Sequence, residues 1–331
     1  MKSVLVTGAN GFLGANLVEV LAGRGYRVLA GVHTPVPPIL KQKVKQLEGH
    51  VSWHQLDVTQ PEDWRALPVS PDGMIHAAAV TPVDERDPLG TVEVNLMGTL
   101  NGLEYALAQD IKRFIALSSA SVYRDVPDGE GPLTETEPVR PIHSYGISKV
   151  AAESFVTLYR QQKGLDGCSV RMTGIYGPWE RPTDARKGMS PVYQLLLAVV
   201  RGQRLRVYDA GGSGDYMHAR EAARALVHLL ECEKLEYDVI NLSTGVSISS
   251  KRLLEAVGQV APEAPIEWVA DAHKDDADLI LGPTRKGRRL SVERLAKQGF
   301  VSNLALEAGL SDYLDWLSVP EHRELIEGSS A

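Results

Sequence analysis

A glycine-rich turn near the start of the chain constrains its fold more than any other feature. The apolar segment 3–7 is followed by Gly8-Ala9-Asn10-Gly11-Phe12-Leu13-Gly14, within which a helical pattern begins. Glycines at these positions allow a tight turn, close approach of the backbone to a phosphate, and close packing of a helix on a strand. The N–H groups and dipole of the helix then attract a pyrophosphate. The turn therefore predicts a dinucleotide site built from Gly8, Asn10, Gly11, Phe12, Leu13 and Gly14.

Short apolar runs alternate with helical stretches along the first half of the chain. This alternation predicts a parallel sheet with helices on both faces, which is a Rossmann-type doubly wound α/β fold. The predicted strands are residues 3–7, 27–32, 51–55, 73–77, 113–117, 168–172 and, after a change of pattern, 239–242. The predicted helices are residues 11–23, 89–109, 142–163, 192–201, 219–231, 251–260 and 304–317.

Composition and charge exclude several classes of protein. The chain has 331 residues, and its net charge of −7 gives no electrostatic support for nucleic acid or an anionic membrane as a partner. No apolar run approaches the ~20 residues that a membrane helix needs. Because the first predicted strand begins at residue 3, we expect no signal peptide. Two cysteines, Cys168 and Cys232, argue against a disulfide framework. We therefore expect a cytoplasmic protein, and we identify no metal-ligating motif.

The end of the second strand bears on which dinucleotide is bound. Domains that bind NAD carry an acidic residue about 20 positions after the glycine turn, where it accepts hydrogen bonds from the ribose. Here the strand ends Gly31-Val32-His33-Thr34, with no carboxylate to repel a 2′-phosphate, and His33 could donate to one. We therefore expect NADP(H) in preference to NAD(H). Asp57 and Val58 follow the third strand, where a carboxylate could accept from the adenine amino group.

Tyr145 and Lys149 form a second motif at the start of a long predicted helix. Residues four apart share a helix face, so the phenol and the ammonium can serve one site. A phenol has an unperturbed pKa of ~10, which a nearby ammonium and a positive nicotinamide ring lower. Tyr145 can then exchange a proton with a substrate hydroxyl or carbonyl while a hydride moves. The fifth strand ends in Ser118-Ser119-Ala120-Ser121, which places hydroxyls at the sheet edge where ligands bind.

The order and spacing of six motifs resemble the extended short-chain dehydrogenase/reductase family, also described as the NAD-dependent epimerase/dehydratase family. The motifs are the turn 7–14, His76-Ala77-Ala78-Ala79, Asn95-x-x-Gly98-Thr99, Ser118-Ser119-Ala120-Ser121-Val122-Tyr123, Tyr145-x-x-x-Lys149 and Gly174-Ile175-Tyr176-Gly177-Pro178. The resemblance implies that Tyr145 is the acid/base and that Ser119 polarises the reacting oxygen. It also implies that Lys149 binds the nicotinamide ribose and lowers the pKa of Tyr145.

The resemblance implies further contacts around this catalytic set. Cofactor contacts are expected from Ala77, Ala78, Asn95, Met172 and Ile175, and substrate contacts from Thr81, Ser121 and Gly174. Two of these assignments have structural alternatives. Asn95 could serve the fold alone, and the hydroxyl of Ser121, like that of the neighbouring Ser118, could cap the end of the strand.

The family also implies a domain organisation and an assembly. We expect residues 1–175 to form the NAD(P)-binding Rossmann domain, with 214–245 returning to it. We expect 176–331 to form mainly a smaller α+β substrate-binding domain that takes up a small molecule. Its loop 180–191 has the length and composition of a lid or binding loop. The predicted helix 89–109 is apolar on more than one side, so it is either buried twice or part of the homodimer contact that the family implies.

Three reactions remain open. We expect an NAD(P)-dependent oxidoreductase that interconverts a secondary alcohol and a ketone. The alternative is a nucleotide-sugar 4-epimerase, although the nucleotide-sugar branch of the family typically carries Asn and Arg where this chain has Gly174 and Gly214. The dehydratases of that branch also carry an Asp-Glu pair, where this chain has Ala120-Ser121. The basic segment 285–289 could hold a phosphorylated substrate and keeps the epimerase open. A non-catalytic NAD(P)-binding scaffold is the third alternative, against which the complete Ser-Tyr-Lys set argues.

Overall fold

The computed structural model describes residues 2–68, 70–81, 85–123, 125, 131–282 and 288–327. The strands are β1 (Ser3–Thr7), β2 (Arg27–Val32), β3 (His50–Gln55), β4 (Gly73–His76), β5 (Arg113–Ser119), β6 (Gly167–Met172), β7 (Gly174–Tyr176), β8 (Leu205–Asp209), β9 (Ser213–Gly214), β10 (Tyr216–His218), β11 (Val239–Leu242), β12 (Ile248–Ser249), β13 (Ile266–Trp268) and β14 (Leu279–Leu281). The α-helices are α1 (Phe12–Gly23), α2 (Pro38–Val44), α3 (Pro61–Arg65), α4 (Pro88–Val92), α5 (Gly98–Ala108), α6 (Ser144–Lys163), α7 (Pro191–Arg201), α8 (Ala219–Glu231), α9 (Ser250–Val260), α10 (Glu293–Lys297), α11 (Leu306–Ser318) and α12 (Pro320–Glu327). A π-helical turn spans Glu93–Met97, and 3₁₀ turns span Ala120–Tyr123 and Asp271–Asp276.

The central sheet is parallel throughout and has seven strands in the order β3-β2-β1-β4-β5-β6-β11. The order reverses between β1 and β4, so their carboxyl ends flank a crevice of the kind that holds ligands in such sheets. At this edge Thr7 is paired with His76, and Ser119 is paired with Met172. The Rossmann-type fold that the alternating pattern predicts is confirmed.

The two faces of the sheet bury separate hydrophobic clusters. Val4 and Val6 of β1 belong to one cluster and Leu5 belongs to the other. Successive strand residues point to opposite faces, so a strand covered on both sides needs apolar residues at every position. α1 and α8 cover the first face, and α5 and α6 cover the second.

The predicted helix 89–109 is confirmed as a continuous helical stretch over 88–108. Within it, a π-helical turn joins α4 to α5. The π turn contains Asn95, whose amide accepts from Val80 N at 2.9 Å and donates to Val80 O at 3.1 Å. The π-helical turn therefore lies where the helix is hydrogen-bonded to the segment that follows β4.

The later part of the chain contains short elements that the sequence does not predict. β8 lies between β13 and β14 in a parallel sheet, while β7 pairs with β10 and β9 with β12. Strands this short carry too few residues for a periodic pattern to be read. Cys168 and Cys232 are free thiols. Among the described residues, no helix combines the length and apolarity needed to cross a membrane.

Candidate active site

The glycine-rich turn connects β1 to α1 and requires glycine at two points. Gly8 has a φ of +63°, and a Cβ atom built there would lie 2.8 Å from Cα of Ala78. A Cβ at Gly14 would lie 2.0 Å from the carbonyl oxygen of Gly8. α1 begins at Phe12 with Gly11 as its N-cap, and no side chain caps its first N–H groups. The turn therefore fits a dinucleotide pyrophosphate, which these N–H groups would bind.

Gly14→Ala is expected to displace this turn, whereas Gly23→Ala in the same helix is not. A Cβ at Gly23 meets no atom within 4 Å. We expect Gly14→Ala to weaken NADPH binding and to lower the free energy of unfolding by about 1–3 kcal/mol, as overpacking does. Gly23→Ala should preserve binding and leave stability unchanged or raise it by up to about 1 kcal/mol. Fluorescence titration and thermal unfolding measure both quantities, and equal effects of the two changes would contradict the close packing at Gly14.

Asn10 orders the turn through contacts within the protein. Its Nδ2 group donates to the carbonyl oxygen and to Oγ1 of Thr34, at 2.9 Å each, in the loop after β2. Its backbone oxygen accepts from Arg181 at 2.9 Å. The structure therefore gives this amide a role in ordering the turn, where the sequence predicts direct contact with the cofactor.

Thr7 connects β1 to the segment after β4. The sequence analysis includes this residue in the turn motif but predicts no role for its side chain. Its Oγ1 accepts from the N–H groups of Ala77 and Ala78, at 3.1 Å each, and bonds with Nδ1 of His76 at 3.0 Å. Burial, aided by the charge of Lys149, lowers the pKa of His76 to about 3, so its ring is neutral. The backbone of Ala77 and Ala78 is thereby fixed against the glycine turn.

His33 and Asp57 lie close together after β2 and β3, at the edge of the sheet where the adenosine would lie. His33 is 67% exposed in its side chain, and its Nδ1 lies 3.7 Å from Oδ2 of Asp57. The other carboxylate oxygen of Asp57 accepts from N and Oγ1 of Thr59 at 2.9 and 2.8 Å. The carbonyl of Val58 accepts from Trp64 at 3.0 Å. His33 is therefore accessible to a ligand, while Asp57 and Val58 are partly engaged by the protein.

Ser119, Tyr145 and Lys149 meet where β5 ends and α6 begins. Ser119, the last residue of β5, and Tyr145, near the start of α6, line the same cavity. Lys149 lies one turn further along α6 and is buried. Its ammonium donates to the carbonyl oxygen of Leu117 at 2.9 Å and lies 5.8 Å from the ring centroid of Tyr145. The three side chains of the predicted catalytic set therefore share one site.

Burial dominates the protonation of both titratable groups. Desolvation raises the pKa of Tyr145, while the hydrogen bond with Ser119 and the charge of Arg186 oppose that rise. Burial lowers the pKa of Lys149 to about 8, against the opposing charge of Glu153. Arg186, a residue that the sequence analysis does not single out, is therefore a second cation that acts on the phenol beside Lys149.

A buried ion pair lies behind Lys149. Glu153, one turn further along α6, accepts from Nη2 of Arg171 at 2.7 Å and from its Nε at 2.9 Å. The hydroxyl of Ser118 donates to the same carboxylate, so Ser118 binds this pair and does not cap the strand. Arg171 also donates to the phenol oxygen of Tyr123 at 2.6 Å. The spacing of Glu153 from Lys149 was the available sequence signal for this cluster, since it places both on one helix face.

A cavity of about 390 Å³ opens beside Ser119 and Tyr145. Besides these two, its wall contains four further predicted residues, namely Thr81, Met172, Gly174 and Ile175. Residues that the sequence did not predict come from the loop after β7 and from β10 and β14, among them Arg186, Met189, Ser190, Tyr216 and Ile280. These side chains converge from segments distant in sequence, which is why local motifs did not reveal them.

Two residues predicted to contact a ligand, Ser121 and Asn95, form hydrogen bonds within the protein. Ser121 is outside the residues that line the cavity, and its hydroxyl bonds that of Ser119. Asn95 uses its amide to hold Val80 and also donates to Oγ of Ser148 at 3.2 Å. Asn95 is fully buried, so the structural alternative for this residue is the one that the structure supports.

The loop 180–191 forms a fixed wall of the cavity. Glu180 is fully buried and accepts from Nη2 of Arg186 at 2.9 Å and from N and Oγ of Ser190 at 2.7 and 2.8 Å. The N–H of Thr81 donates to the carbonyl of Ala185 at 2.7 Å, which joins the loop to the segment after β4. The loop predicted as a lid or binding loop is therefore pinned at its middle and at its end.

The ring of Tyr216 lies over the glycines that distinguish this chain from the nucleotide-sugar branch. A Cβ atom at Gly214 would lie 2.3 Å from Cζ of Tyr216. A Cβ at Gly174 would lie 3.5 Å from Cδ1 of the same ring. The Tyr216 ring thus occupies the space that a side chain at Gly214 would enter, whereas its distance from a Cβ at Gly174 is an ordinary van der Waals contact.

The basic segment 285–289 is only partly described. Arg285, Lys286 and Gly287 lie outside the described residues. Arg288 donates to the carbonyl of Gly131 and to Glu137, each at 3.2 Å. Arg289 donates to the carbonyl of Gly245 at 2.5 Å. Both described arginines therefore bind the protein itself.

The fold and the arrangement of these side chains define the class of the chain as the extended short-chain dehydrogenases/reductases. Residues 4–243 match the NAD dependent epimerase/dehydratase family, and the chain belongs to that family. The resemblance inferred from the motifs is confirmed.

Several proteins of known identity are similar to this chain. The GDP-6-deoxy-D-mannose reductase of Pseudomonas aeruginosa is 28% identical over 276 residues, which cover 82% of this chain and 83% of the reductase. The structure of RMD from Pseudomonas aeruginosa with NADPH has a TM-score of 0.74 at 26% identity and covers 96% of this chain and 99% of that one. The UDP-glucose 4-epimerase of Thermus thermophilus with NAD has a TM-score of 0.74 at 27% identity, with coverages of 95% and 98%. Both nicotinamide cofactors thus occur among these proteins.

Proposed function

We propose that this chain interconverts a ketone and a secondary alcohol on a small molecule with an NAD(P) cofactor, and that Tyr145 acts as the general acid when the ketone is reduced. The placement of Ser119 and Tyr145 on one cavity at the carboxyl edge of the sheet carries the proposal. Burial raises the pKa of Tyr145, so its phenol holds a proton at neutral pH. A positioned group that holds a proton acts as a general acid, which carbonyl reduction requires.

Tyr145, Ser119 and Lys149 have different roles in the proposed reduction. When bound, the nicotinamide group supplies or accepts a hydride at the reacting carbon. Tyr145 donates its proton to the carbonyl oxygen as negative charge develops there, and Ser119 donates a hydrogen bond that orients this oxygen. The ammonium of Lys149 stabilises the phenolate that remains on Tyr145. Hydride on carbon and proton on oxygen together give the secondary alcohol.

Absorbance of the reduced nicotinamide, followed with a panel of small ketones, tests the proposed function. We expect oxidation of the reduced cofactor in step with formation of the alcohol. A protein that binds NADPH or NADH but oxidises neither with any ketone would contradict the proposal.

NADP(H) is the proposed cofactor in preference to NAD(H). The end of β2 has no carboxylate, and the exposed ring of His33 is available to a 2′-phosphate. Similarity to RMD, which was solved with NADPH, supports the same choice. Titration with NADPH and with NADH decides it, and tighter binding of NADH would overturn it.

A nucleotide-sugar 4-epimerase is the second candidate function. Similarity to the UDP-glucose 4-epimerase of Thermus thermophilus favours it. Gly174 and Gly214 argue against it, because the asparagine and arginine typical of that branch are absent, and the Tyr216 ring fills the space at Gly214. The complete set of Ser119, Tyr145 and Lys149 argues against a non-catalytic scaffold.

The alkaline limb of the pH profile is expected to follow Lys149. Its ammonium loses its charge as pH rises through about 8, so kcat/KM for ketone reduction should fall over that range. In Lys149→Arg the guanidinium stays charged, and the limb should move to higher pH. The free energy of unfolding should rise between about 8 and the ordinary lysine pKa of 10.5, because the unfolded state binds more protons there. An unchanged limb in Lys149→Arg would contradict this assignment.

We further propose the domain organisation and a homodimer. Residues 1–175 with 214–245 would form the cofactor domain, and 176–331 mainly the substrate domain. The pairing of β11 with β6 supports the return of the chain to the first domain. Met97 and Ile147 are exposed on the π turn and α6, which supports a subunit contact there. Light scattering should give the mass of a dimer, and a monomer at working concentration would overturn this proposal.

A further inference from the structure

We propose that Arg186 binds an anionic group of the substrate, a carboxylate or a phosphate, inside the active-site cavity. The inference rests on the proposed function, because it concerns the substrate of that same site. It makes Arg186 a specificity-determining residue for the reaction.

The guanidinium of Arg186 lines the cavity beside Ser119 and Tyr145. One of its nitrogens, Nη2, donates to Glu180 at 2.9 Å, and its Cζ lies 4.9 Å from the ring centroid of Phe12. Its Nε is buried and has no hydrogen-bond partner within the described part of the chain. A guanidinium has more donors than one carboxylate oxygen accepts, and a buried donor without an acceptor is costly. The side chain of Arg186 is 27% exposed, so a ligand oxygen can approach its outer donors.

The protein holds this guanidinium in place before any ligand arrives. The backbone of Arg186 exchanges hydrogen bonds with Thr183 at 2.8 and 3.0 Å, and Thr81 is bonded to the adjacent Ala185. Glu180 is in turn fixed by Ser190. A planar donor group that is already ordered loses little freedom when it binds a carboxylate or phosphate.

The charges around the cavity favour an anion at this point. Among the described residues that line it, Arg186 is the one cation, and Asp215 is the one carboxylate. Both oxygens of Asp215 accept from the hydroxyl of Ser243, and Oδ2 also accepts from Leu290 N at 3.2 Å. Asp215 therefore serves the fold. Arg186 lines the same cavity as Ser119 and Tyr145, so an anion bound at Arg186 would share that cavity with the reacting oxygen.

Two pairs of ketones that differ in charge test the inference. The probes are 4-oxopentanoate against 2-pentanone, and dihydroxyacetone phosphate against dihydroxyacetone, each with NADPH. We expect one charged member to be reduced with a kcat/KM about 10- to 100-fold above its neutral partner, as charge-assisted hydrogen bonds supply. A preference for 4-oxopentanoate would identify the anionic group of the substrate as a carboxylate, and a preference for dihydroxyacetone phosphate would identify it as a phosphate. Equal rates within both pairs would overturn the inference and leave the proposed function intact.

Variants test whether Arg186 is the residue that causes the preference for the charged ketone. Arg186→Gln should abolish it, Arg186→Lys should retain part of it, and Lys187→Gln, at the exposed neighbouring cation, should leave it unchanged. The double variant Glu180→Gln/Arg186→Gln removes the pair without leaving a buried lone carboxylate, so loss of preference there cannot be ascribed to a damaged loop. A preference that survives in Arg186→Gln would overturn the inference.

A binding measurement separates this inference from the proposed function. Calorimetric titration of the NADP⁺-loaded protein with inorganic phosphate and with 4-oxopentanoate should show binding of one of them that Arg186→Gln loses. Such binding without turnover of any ketone would support the anion site and count against ketone reduction. Absence of binding by both probes would count against the anion site.

Discussion

Tyr145→Phe should lower kcat for ketone reduction by about 10²- to 10⁴-fold while leaving NADPH affinity nearly unchanged. The change removes one hydroxyl, which is the proposed proton donor, and general acid catalysis contributes an effect of that size. The ring remains and keeps its place beside Lys149 and Ser119. Stopped-flow absorbance measures the hydride step, and fluorescence titration measures cofactor affinity.

Tyr237→Phe is the matched control for this change. Tyr237 lies outside the cavity, and the guanidinium of Arg294 lies 4.8 Å from its ring centroid, a contact that phenylalanine retains. We expect its kcat to equal that of the unchanged protein. Turnover that persists in Tyr145→Phe would remove Tyr145 from the mechanism, and equal losses in both variants would indicate a general loss of structure.

Glu153→Gln should lower the free energy of unfolding by about 3–5 kcal/mol. Glu153 and Arg171 are each 6% exposed in their side chains, and removing one member leaves the other buried and unpaired. Denaturant unfolding at neutral pH measures the loss. Glu62→Gln is the control, since Glu62 and Arg65 form an exposed ion pair whose loss should cost less than about 0.5 kcal/mol.

Glu153 also acts on the site through Lys149. Its charge raises the pKa of that lysine, so Glu153→Gln should move the alkaline limb of kcat/KM to lower pH. A purely structural residue would not move this limb. An unfolding free energy that matches the unchanged protein, together with an unmoved limb, would contradict the positioning role assigned to Glu153.

The fold was largely predictable because its strongest signals are local. The strands β1, β2 and β11 have the predicted bounds, since each is a short apolar run between polar residues or turn residues. The glycine turn was predictable because strand, turn and helix are contiguous in sequence. The π turn was not, because it coincides with the hydrogen bonds from Asn95 to the distant Val80.

The catalytic set was predictable and its electrostatic surroundings were not. Tyr145 and Lys149 are separated by one helical turn, which is a local relation. Arg186 reaches the phenol only because its loop is hydrogen-bonded to the segment at Thr81. Tyr216 covers Gly214 through a contact that depends on how β10 is placed. Long-range placement of loops decides these contacts, and no spacing in the chain encodes it.

Transfer of deuterium from NADPH labelled at C4 of the nicotinamide tests the central claim most directly. With a ketone substrate we expect deuterium on the carbinol carbon of the product and one oxidised cofactor for each alcohol formed, and we expect Tyr145→Phe to show neither. The contradicting result is a cofactor that remains bound and unchanged while UDP-glucose and UDP-galactose interconvert, since that outcome identifies a 4-epimerase.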